Sequence, residues 1–432
     1  MQSKAPAGNG RHIAAATLGN ALEFYDFITY GFFAIQIGHA FFPSHNAYAS
    51  LMLSLATFGA GFLSRPLGAL VIGGYADRVG RRPAMMLSFT LMGGSIIALA
   101  FIPSYSVIGL AAPVLAVATR LIQGFSLGGE VGPANAFLLE ISDDRQRGRA
   151  VAWQGASQGL AAMTAGLVGV GLSALMPPAM LDAWGWRVAM LLGAITLPVG
   201  LWIRRNLPET LHQPAQTAPT SIEPGSLALA RRHWRIIVLA MVITTAGTVT
   251  TYAGAYLTTF AQNNLKMTPM SAFIATAALN ASIVVGSIVG GRFTDRFGRR
   301  PLMLWPMVVT LAAILPVYAW IIHAHSLLAL VVGPSLLGLL GGLRGAAFYT
   351  AVTESLPRRI RAGAFGLIYA STVAVFGGST QVFLTWLLHV TGDPMALAWF
   401  LFGIAAMGGG AMLFIVESAP SRLAPAPALA AA

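Results

Sequence analysis

Long apolar stretches, separated by short polar connections, recur from one end of the chain to the other. Each stretch is about twenty residues or longer, which lets a helix cross a hydrocarbon core of roughly 30 Å. The pattern predicts twelve membrane-crossing helices, over residues 13–38, 48–72, 84–103, 109–138, 150–174, 185–203, 234–260, 270–291, 302–322, 327–352, 363–388 and 396–416. We therefore expect an all-α membrane protein.

The composition excludes a water-soluble globular protein. Hydrophobic residues make up 56% of the chain and charged residues 9%, whereas soluble domains contain roughly 25% charged residues. The chain has no cysteine, so disulfides and thiolate chemistry are excluded. The first apolar stretch contains Glu23 and Asp26 and is followed by no signal-peptide cleavage pattern, so we interpret it as a retained first helix.

Basic residues predict the orientation in the membrane. The net charge of +12 would suggest nucleic-acid binding in a soluble protein, but 21 of the 26 Lys and Arg residues lie in connections on one side of the predicted helices. Short cytoplasmic loops are enriched in such residues. We therefore expect a bacterial inner-membrane protein with both termini in the cytoplasm and no nucleic-acid partner.

An internal repeat relates the two halves of the chain. The sequence Gly-Gly-Tyr-Ala-Asp-Arg-Val-Gly-Arg-Arg-Pro at 73–83 returns as Gly-Arg-Phe-Thr-Asp-Arg-Phe-Gly-Arg-Arg-Pro at 291–301, 218 residues later. Glu140, before an Arg-Gly-Arg triplet, is similarly repeated as Glu354, 214 residues later. The repeat indicates duplication of a six-helix unit.

This duplication predicts the domain organisation. We expect one six-helix bundle over residues 1–203 and a second over 234–417. The polar, proline-rich residues 204–233 are interpreted as a cytoplasmic linker, and the Ala/Pro-rich residues 418–432 as a disordered tail.

The repeated motif resembles the signature loop of the major facilitator superfamily. Further stretches resemble the metabolite:proton symporter family within it, at 19–27, 62–68, 120–130, 184–187 and 207–210; those at 153–158, 376–378 and 391–393 look most like citrate and tricarballylate carriers. The resemblance implies twelve helices in two bundles and proton-coupled uptake of a small carboxylate such as citrate. The proton would be the coupling ion, with no other cofactor.

Several alternatives share this resemblance or architecture. The substrate could instead be a dicarboxylate or keto acid, a shikimate-like acid or a betaine-type osmolyte. A proton-antiport exporter would have the same architecture. The sequence has no phosphate-binding loop for ATP, no His-Glu-x-x-His helix and no nucleophile elbow in a suitable context. We therefore expect a transporter, acting as a monomer among membrane lipids, rather than an enzyme.

Ionisable residues inside predicted helices are the candidates for proton coupling. An ionised side chain at mid-membrane costs from about 2.5 to more than 10 kcal/mol, so each one is expected to have a charge partner, a water-filled cavity or a functional role. The acids are Glu23, Asp26 and Glu130. Glu23 and Asp26 are three residues apart, and repulsion between two ionised carboxylates favours keeping a proton on one. Permanent pairing of these acids with arginines is the structural alternative.

Arginines and amides inside predicted helices are the candidates for substrate binding. A guanidinium binds a carboxylate through two parallel hydrogen bonds, which favours Arg for this role. Gln154 and Gln158 lie four residues apart on one face of a helix. The complete set is Arg120, Arg344, Arg65, Gln154, Gln158, Asn20 and Tyr30. Arginine–acid pairs between helices are again the alternative.

The charged residues of the repeated motif are predicted to act in gating. An Asp near a helix N-terminus and within reach of Arg on a neighbouring helix can hold one closed arrangement. The predicted gating residues are Asp77, Arg78, Arg81, Arg82, Asp295, Arg296, Arg299 and Arg300. Topological anchoring by positive charge would explain the arginines but not the Asp in both copies. No metal site is predicted.

Overall fold

The computed structural model describes most of the chain. It covers residues 9–79, 81–128, 138–139, 142–143, 145–195, 234–356, 361–420 and 422, except for the side chains at 9–16, 18–19, 22–23, 73, 76–78, 81–82, 85 and 361–363. The regular elements within these ranges are all helical, as the apolar pattern predicts.

The described residues of the first half contain six helices, which correspond to the first six predicted membrane-crossing segments. They are α1 (Asn9–Phe32, continued by Ala34–Phe41), α2 (Ala47–Leu63, continued by Arg65–Val79), α3 (Arg81–Phe101), α4 (Ala111–Ser126), α5 (Arg147–Leu175) and α6 (Trp186–Ala194). The short helix Tyr105–Ile108 precedes α4, and α6 is preceded by a π-helical turn at Leu181–Gly185.

The second half contributes six more within the described residues. They are α7 (Trp234–Ala255, continued by Leu257–Thr259 and Phe260–Asn264), α8 (Pro269–Phe297), α9 (Arg299–Ala324), α10 (Leu327–Ser355), α11 (Arg361–Thr372, Val373–Gly377 and Gly378–Thr391) and α12 (Met395–Met412). The predicted linker at 204–233 lies outside the described residues, as does nearly all of the predicted tail from 418 onwards except residues 418–420 and 422.

The surface of the described helices is apolar over wide areas, as contact with lipid requires. Leu70, Leu175 and Trp399 are among many exposed large apolar side chains. Eight helices within the described residues are long and apolar enough to span a membrane. These eight are α2, α5 and α7 to α12. The protein is a multi-pass membrane protein.

Glycines bring the two halves together along α5 and α8. A Cβ added at Gly148, Gly155, Gly166 or Gly169 of α5 would meet, in turn, Thr294, Ser287, Ala277 or Phe273 of α8 at 2.3 to 3.2 Å. The residue numbers of the α8 partners decrease as the residue numbers in α5 increase, so the two helices are antiparallel. Small residues permit this close approach, which maximises van der Waals contact in lipid.

A second contact between the halves joins α2 to α11. Gly59 and Gly378 face each other so closely that a Cβ on Gly378 would lie 2.7 Å from the Cα of Gly59. The two halves therefore touch along two separate seams, α5–α8 and α2–α11.

A close helix contact also occurs within the second half, where a Cβ at Gly286 of α8 would lie 2.3 Å from the carbonyl oxygen of Leu339 in α10.

The α8–α10 contact generates a stability prediction. Replacing Gly286 with Ala places a methyl group against the backbone of α10, which cannot move away without separating the helices. Overpacking of this kind costs about 1–3 kcal/mol. We expect Gly286→Ala to lower the thermal unfolding midpoint of the detergent-solubilised protein. Gly403→Ala is the matched control, because nothing lies within 4 Å of a Cβ there, and equal midpoints for the two variants would contradict the packing.

Candidate functional site

A central cavity of about 210 Å³ lies between the two halves. Side chains from α1 and α5 of the first half line it together with side chains from α7, α8, α9, α10, α11 and α12 of the second half. This volume is below the roughly 300–1,000 Å³ of pockets for drug-sized ligands, so the cavity suits a small molecule. Its polar side chains include Gln158, Asn280 and Arg344.

Arg344 supplies a buried positive charge to this cavity. Its side chain belongs to α10 and is only 8% exposed. One guanidinium nitrogen, Nη1, donates to the sulfur of Met307 at 2.9 Å, and a thioether is a weak acceptor. None of the ion pairs formed by the described residues includes Arg344. Glycines at 341 and 345 also line the cavity and leave space beside the guanidinium.

The two candidate glutamines of α5 have different surroundings. Gln154 donates to the side-chain oxygen of Asn20 at 3.1 Å, and the Asn20 amide donates to Ser157 at 2.8 Å. These groups join α1 to α5 and do not line the cavity. Gln158 does line it, within hydrogen-bonding reach of Tyr369 of α11. Only Gln158 of the predicted pair therefore faces the cavity.

Arg120 lies in a separate cluster of aromatic rings. Its guanidinium carbon is 4.7 Å from the ring centroid of Phe27, 4.5 Å from Tyr30 and 5.3 Å from Phe58. Cation–π attraction stabilises a guanidinium in such surroundings. Arg65 shares this cluster, with its guanidinium carbon 4.6 Å from the same Phe27 ring. Tyr30 directs its hydroxyl to the backbone of α2, donating to the Ser54 carbonyl at 3.3 Å.

Several polar atoms of this cluster have no hydrogen-bond partner among the described residues. Arg120 donates to Gln123, but its Nε and Nη2 lack acceptors, as do Nε of Arg65 and Nε2 of Gln123. The fully buried Asp26 carboxylate lies within electrostatic range of Arg120, and both its oxygens lack donors. A Cβ at Gly193 of α6 would lie 1.9 Å from an Asp26 oxygen, so this glycine makes room for the acid.

A layer of aromatic rings separates this cluster from the cavity. Tyr252 of α7 lines the cavity and packs on Phe58 and Phe62, with ring centroids 6.2 and 5.1 Å away. The first helix contributes to both sides: Phe24 and Phe32 line the cavity, whereas other residues of α1 contact Arg120. Neither Arg120 nor Arg65 lines the cavity. The structure therefore does not bring Arg120 and Arg344 into one site.

At the basic end of the molecule, Asp295 of α8 caps the N-terminus of α5. Its two carboxylate oxygens accept hydrogen bonds from the backbone N–H groups of Gly148 and Arg149, at 2.8 and 3.0 Å. A carboxylate at a helix N-terminus satisfies free N–H groups and complements the helix dipole. This interaction holds the two halves together at that end.

Arg299 links the capping residue Asp295 to α10. It donates to Asp295 at 2.7 Å and to both oxygens of Glu354 at 3.0 and 3.2 Å. Glu417 accepts hydrogen bonds from the backbone of Arg299 and Arg300 at the start of α9, and from two residues that follow it. Burial alone would raise the pKa of Glu417, but these four N–H groups outweigh it and lower the pKa below its usual value.

The second copy of the repeated motif is a helix–glycine–helix junction and not the loop that the resemblance implied. Helix α8 continues to Phe297 and α9 begins at Arg299, with Gly298 between them at φ +99°. Gly tolerates this left-handed conformation without steric cost. The predicted gating residue Arg296 is exposed and lies 5.3 Å from the Phe297 ring, outside the Asp295 network.

The opposite end also has contacts between the halves. Tyr48, at the start of α2, stacks on His389 of α11 with ring centroids 3.8 Å apart. Gln36 of α1 donates to Gln262 of α7 at 3.5 Å. The cavity is therefore flanked by contacts between the halves at both ends.

The structure does not describe all of the predicted site residues. Glu130 is not among the described residues, and neither are the side chains of Glu23, Asp77, Arg78, Arg81 and Arg82. Sequence reasoning missed Glu417 and the rings of Phe27 and Phe58 around Arg120, although Tyr30 of the same cluster was among the predicted residues. Glu354 was visible as part of the second repeat but was not assigned a role, whereas nothing in the apolar pattern distinguishes Phe27 or Phe58 from ordinary core residues.

Long apolar helices from both halves, a small cavity that both halves line, and contacts between the halves at both ends are the architecture of a membrane transporter. The model of the Major Facilitator Superfamily matches residues 16–287 and 263–431. The chain therefore belongs to this superfamily, as the repeated motif indicated.

Curated relatives cover most of the chain. A citrate-proton symporter of Klebsiella pneumoniae is 35% identical over 94% of this chain and 92% of its own. An alpha-ketoglutarate permease of Escherichia coli (strain K12) is 34% identical over 90% of this chain and 89% of its own. A proline/betaine transporter of Salmonella typhimurium is 30% identical over 92% of this chain and 81% of its own.

Solved structures agree in fold. A structure of the proton:xylose symporter XylE superposes with a TM-score of 0.75 over 96% of this chain and 97% of that chain, at 16% identity. At this identity the likeness concerns the fold alone.

The Asp295 cap generates a labelling prediction. Because the chain has no cysteine, Ser287→Cys in α8 provides a single reporter on the cavity wall. Asp295→Asn removes the charged cap, and loss of a cap costs about 0.5–2 kcal/mol, so we expect roughly 2- to 30-fold faster reaction with a membrane-impermeant thiol reagent applied from the basic end. Asp143→Asn, at an exposed position of the same end, is the matched control. Equal rates in the two variants would refute a gating role.

Proposed function

We propose that this protein is a proton-coupled symporter that imports a small carboxylate, citrate or a related tricarboxylate, by alternating access. The observation that carries the proposal is the buried guanidinium of Arg344 on the cavity wall, which pairs with no carboxylate of the described residues. A buried charge is stabilised by a bound counter-charge. A substrate carboxylate can supply that charge and accept two parallel hydrogen bonds from the guanidinium.

The relatives support a carboxylate as the substrate class. Their names include citrate, alpha-ketoglutarate, and proline or betaine, which all carry a carboxylate. A dicarboxylate such as alpha-ketoglutarate is the second candidate. The observation that favours it is charge. Arg344 is the arginine on the described cavity wall, and a dicarboxylate has fewer negative charges to be compensated there than a tricarboxylate.

Asp26 is the proposed proton carrier. When ionised, it is stabilised among the described residues by the nearby charge of Arg120 and by no hydrogen bond. Protonation would remove the charge and loosen the attraction between α1 and α4. Because α1 also lines the cavity through Phe24, Ile28 and Phe32, a shift of α1 would change the substrate site. Glu23 and Glu130 remain further candidates for the same role.

The proposed orientation assigns the two ends of the molecule to the two sides of the membrane. The basic end would face the cytoplasm of a bacterium, by the excess of Lys and Arg in short cytoplasmic connections. Breaking the Asp295 cap would open the cavity to the cytoplasm, and separating Tyr48 from His389 would open it to the outside. The bundles 1–203 and 234–417 would be the moving bodies, joined by 204–233. Because the cavity lies within one chain, a monomer would suffice, and no cofactor besides the proton is needed.

Proteoliposome uptake tests the proposal. We expect radiolabelled citrate to accumulate when the outside is acidic, and a protonophore to abolish the accumulation. Asp26→Asn should lose accumulation but retain exchange of labelled for unlabelled citrate, because exchange needs no net proton movement. Asp143→Asn should behave as the wild type.

Two outcomes of this assay would overturn parts of the proposal. Accumulation by Asp26→Asn equal to that of the wild type would exclude Asp26 as the carrier. Absence of citrate uptake, with uptake of alpha-ketoglutarate in the same vesicles, would replace the tricarboxylate by the dicarboxylate.

Binding measurements test Arg344. Hydrogen bonds to charged groups contribute about 1.5–3 kcal/mol, so Arg344→Gln should raise the dissociation constant for the transported anion roughly 10- to 150-fold. The dissociation constant of Arg344→Lys should lie between those of the wild type and Arg344→Gln, because lysine keeps the positive charge but lacks the planar guanidinium group. Arg235→Gln, which removes an exposed arginine of α7, is the control. Unchanged affinity in Arg344→Gln would exclude this arginine from the substrate site.

A further inference from the structure

A second recess opens on the outer surface of the molecule, at the basic end. It has a volume of about 580 Å³ and lies between the start of α9 and the segment that follows α12. Two arginines, Arg300 and Arg422, line it together with Glu417 and apolar side chains. It shares no lining residue with the central cavity. It is therefore a separate site, outside the route proposed for the substrate.

The recess has available positive charge. Arg300 donates from Nη2 to the carbonyl of Leu413 at 3.0 Å, and Arg422 donates from Nε to the carbonyl of Phe297 at 3.2 Å. Neither arginine belongs to an ion pair formed by the described residues. Both side chains are exposed, and each guanidinium retains donors for an anion.

The acid in the recess is already engaged. The Glu417 carboxylate accepts backbone hydrogen bonds from Arg299, Arg300, Ser418 and Ala419, at 2.8 to 3.0 Å. Its charge is therefore directed toward the start of α9, while the guanidinium groups of Arg300, on α9, and Arg422, in the segment after α12, line the recess. The recess retains a net attraction for a negative group.

The remaining wall is apolar and exposed on the outer surface of the helices. Trp305 and Val308, one turn apart on α9, are 71% and 55% exposed, and Leu413 is 54% exposed. Trp is typical of the boundary between hydrocarbon and headgroups. The recess thus has cationic donors at the end of the helices and an apolar strip that runs from them toward the hydrocarbon.

We propose that this recess binds one anionic phospholipid, with its phosphate between Arg300 and Arg422 and an acyl chain along Trp305 and Val308. Basic pockets between helices at the cytoplasmic side bind anionic headgroups. A free phosphate would leave the apolar strip uncovered, and a zwitterionic lipid would bring a positive group toward the arginines. The chemistry of the recess therefore fits a phosphatidylglycerol or cardiolipin molecule.

The position of the lipid would couple it to the closed basic end. Arg300 follows Arg299, which bonds both Asp295 and Glu354, and Glu417 holds the backbone of Arg299 and Arg300 together. A phosphate bound by Arg300 and Arg422 would restrain this helix end. Bound lipid would thereby stabilise the arrangement in which Asp295 caps α5.

Native mass spectrometry of the full-length protein in detergent tests the proposal, with phosphatidylglycerol and phosphatidylethanolamine of the same acyl chains as probes. We expect preferential retention of phosphatidylglycerol. Each arginine near a membrane surface contributes about 1 kcal/mol to anionic lipid binding, so the Arg300→Gln/Arg422→Gln variant should bind it roughly 30-fold more weakly. Trp305→Ala should also weaken retention, because it removes part of the apolar strip.

The control is the Arg292→Gln/Arg296→Gln variant, which removes the same charge from exposed positions of the same end outside the recess. Equal loss of lipid in both double variants, or equal retention of the two lipids by the wild type, would overturn the proposal in favour of general electrostatic attraction. Displacement of the lipid by millimolar inorganic phosphate would overturn it in favour of a free-phosphate site. Equal unfolding midpoints of the variants in lipid-free detergent establish that they are folded, and none of these readouts depends on the transported substrate.

Discussion

The cost of placing ionised side chains among apolar helices governs the arrangement of this protein. Each buried charge in the described residues is stabilised in a different way. Asp295 receives backbone N–H groups and Arg299, and Arg120 lies among aromatic faces. Arg344 has only a thioether acceptor and the cavity. The surroundings of these charges therefore range from a complete set of hydrogen bonds at Asp295 to an open cavity wall at Arg344.

The aromatic layer divides the interior into two electrostatic compartments. Asp26 and Arg120 lie on one side, and Arg344 lies on the other, with Tyr252 between them. Direct charge–charge coupling through this layer would be weaker than coupling within a single site. Helix α1 contacts both compartments, so the proposed proton site and the proposed substrate site share this helix.

The glycine seams and the charged network act on the same helices. The α5–α8 seam permits contact along the length of both helices, and Asp295 closes that seam at its basic end. Van der Waals packing alone is nondirectional, whereas a capped helix terminus has a defined geometry. The contact between the halves at this end therefore includes a small set of directional hydrogen bonds centred on Asp295.

Sequence patterns predicted much of the fold and the inventory of charged residues. Hydrophobic runs predicted the helices because lipid requires every spanning backbone to satisfy its own hydrogen bonds. The repeat predicted Asp295 and Arg299 as a functional unit, and the contacts place both in one network. The site was less predictable: Gln154 and Gln158 share a helical face in the sequence pattern, yet only Gln158 lines the cavity.

What the sequence determined by itself was the set of membrane-crossing helices, the duplication and the residues that carry charge into the membrane. These depend on local hydropathy and on spacing, which are properties of the chain alone. The tertiary structure decided that Arg344 faces the cavity, that Arg120 faces aromatic rings, and that Glu417 holds the start of α9. Those outcomes depend on how each helix is rotated against its neighbours, and packing between residues distant in sequence sets that rotation.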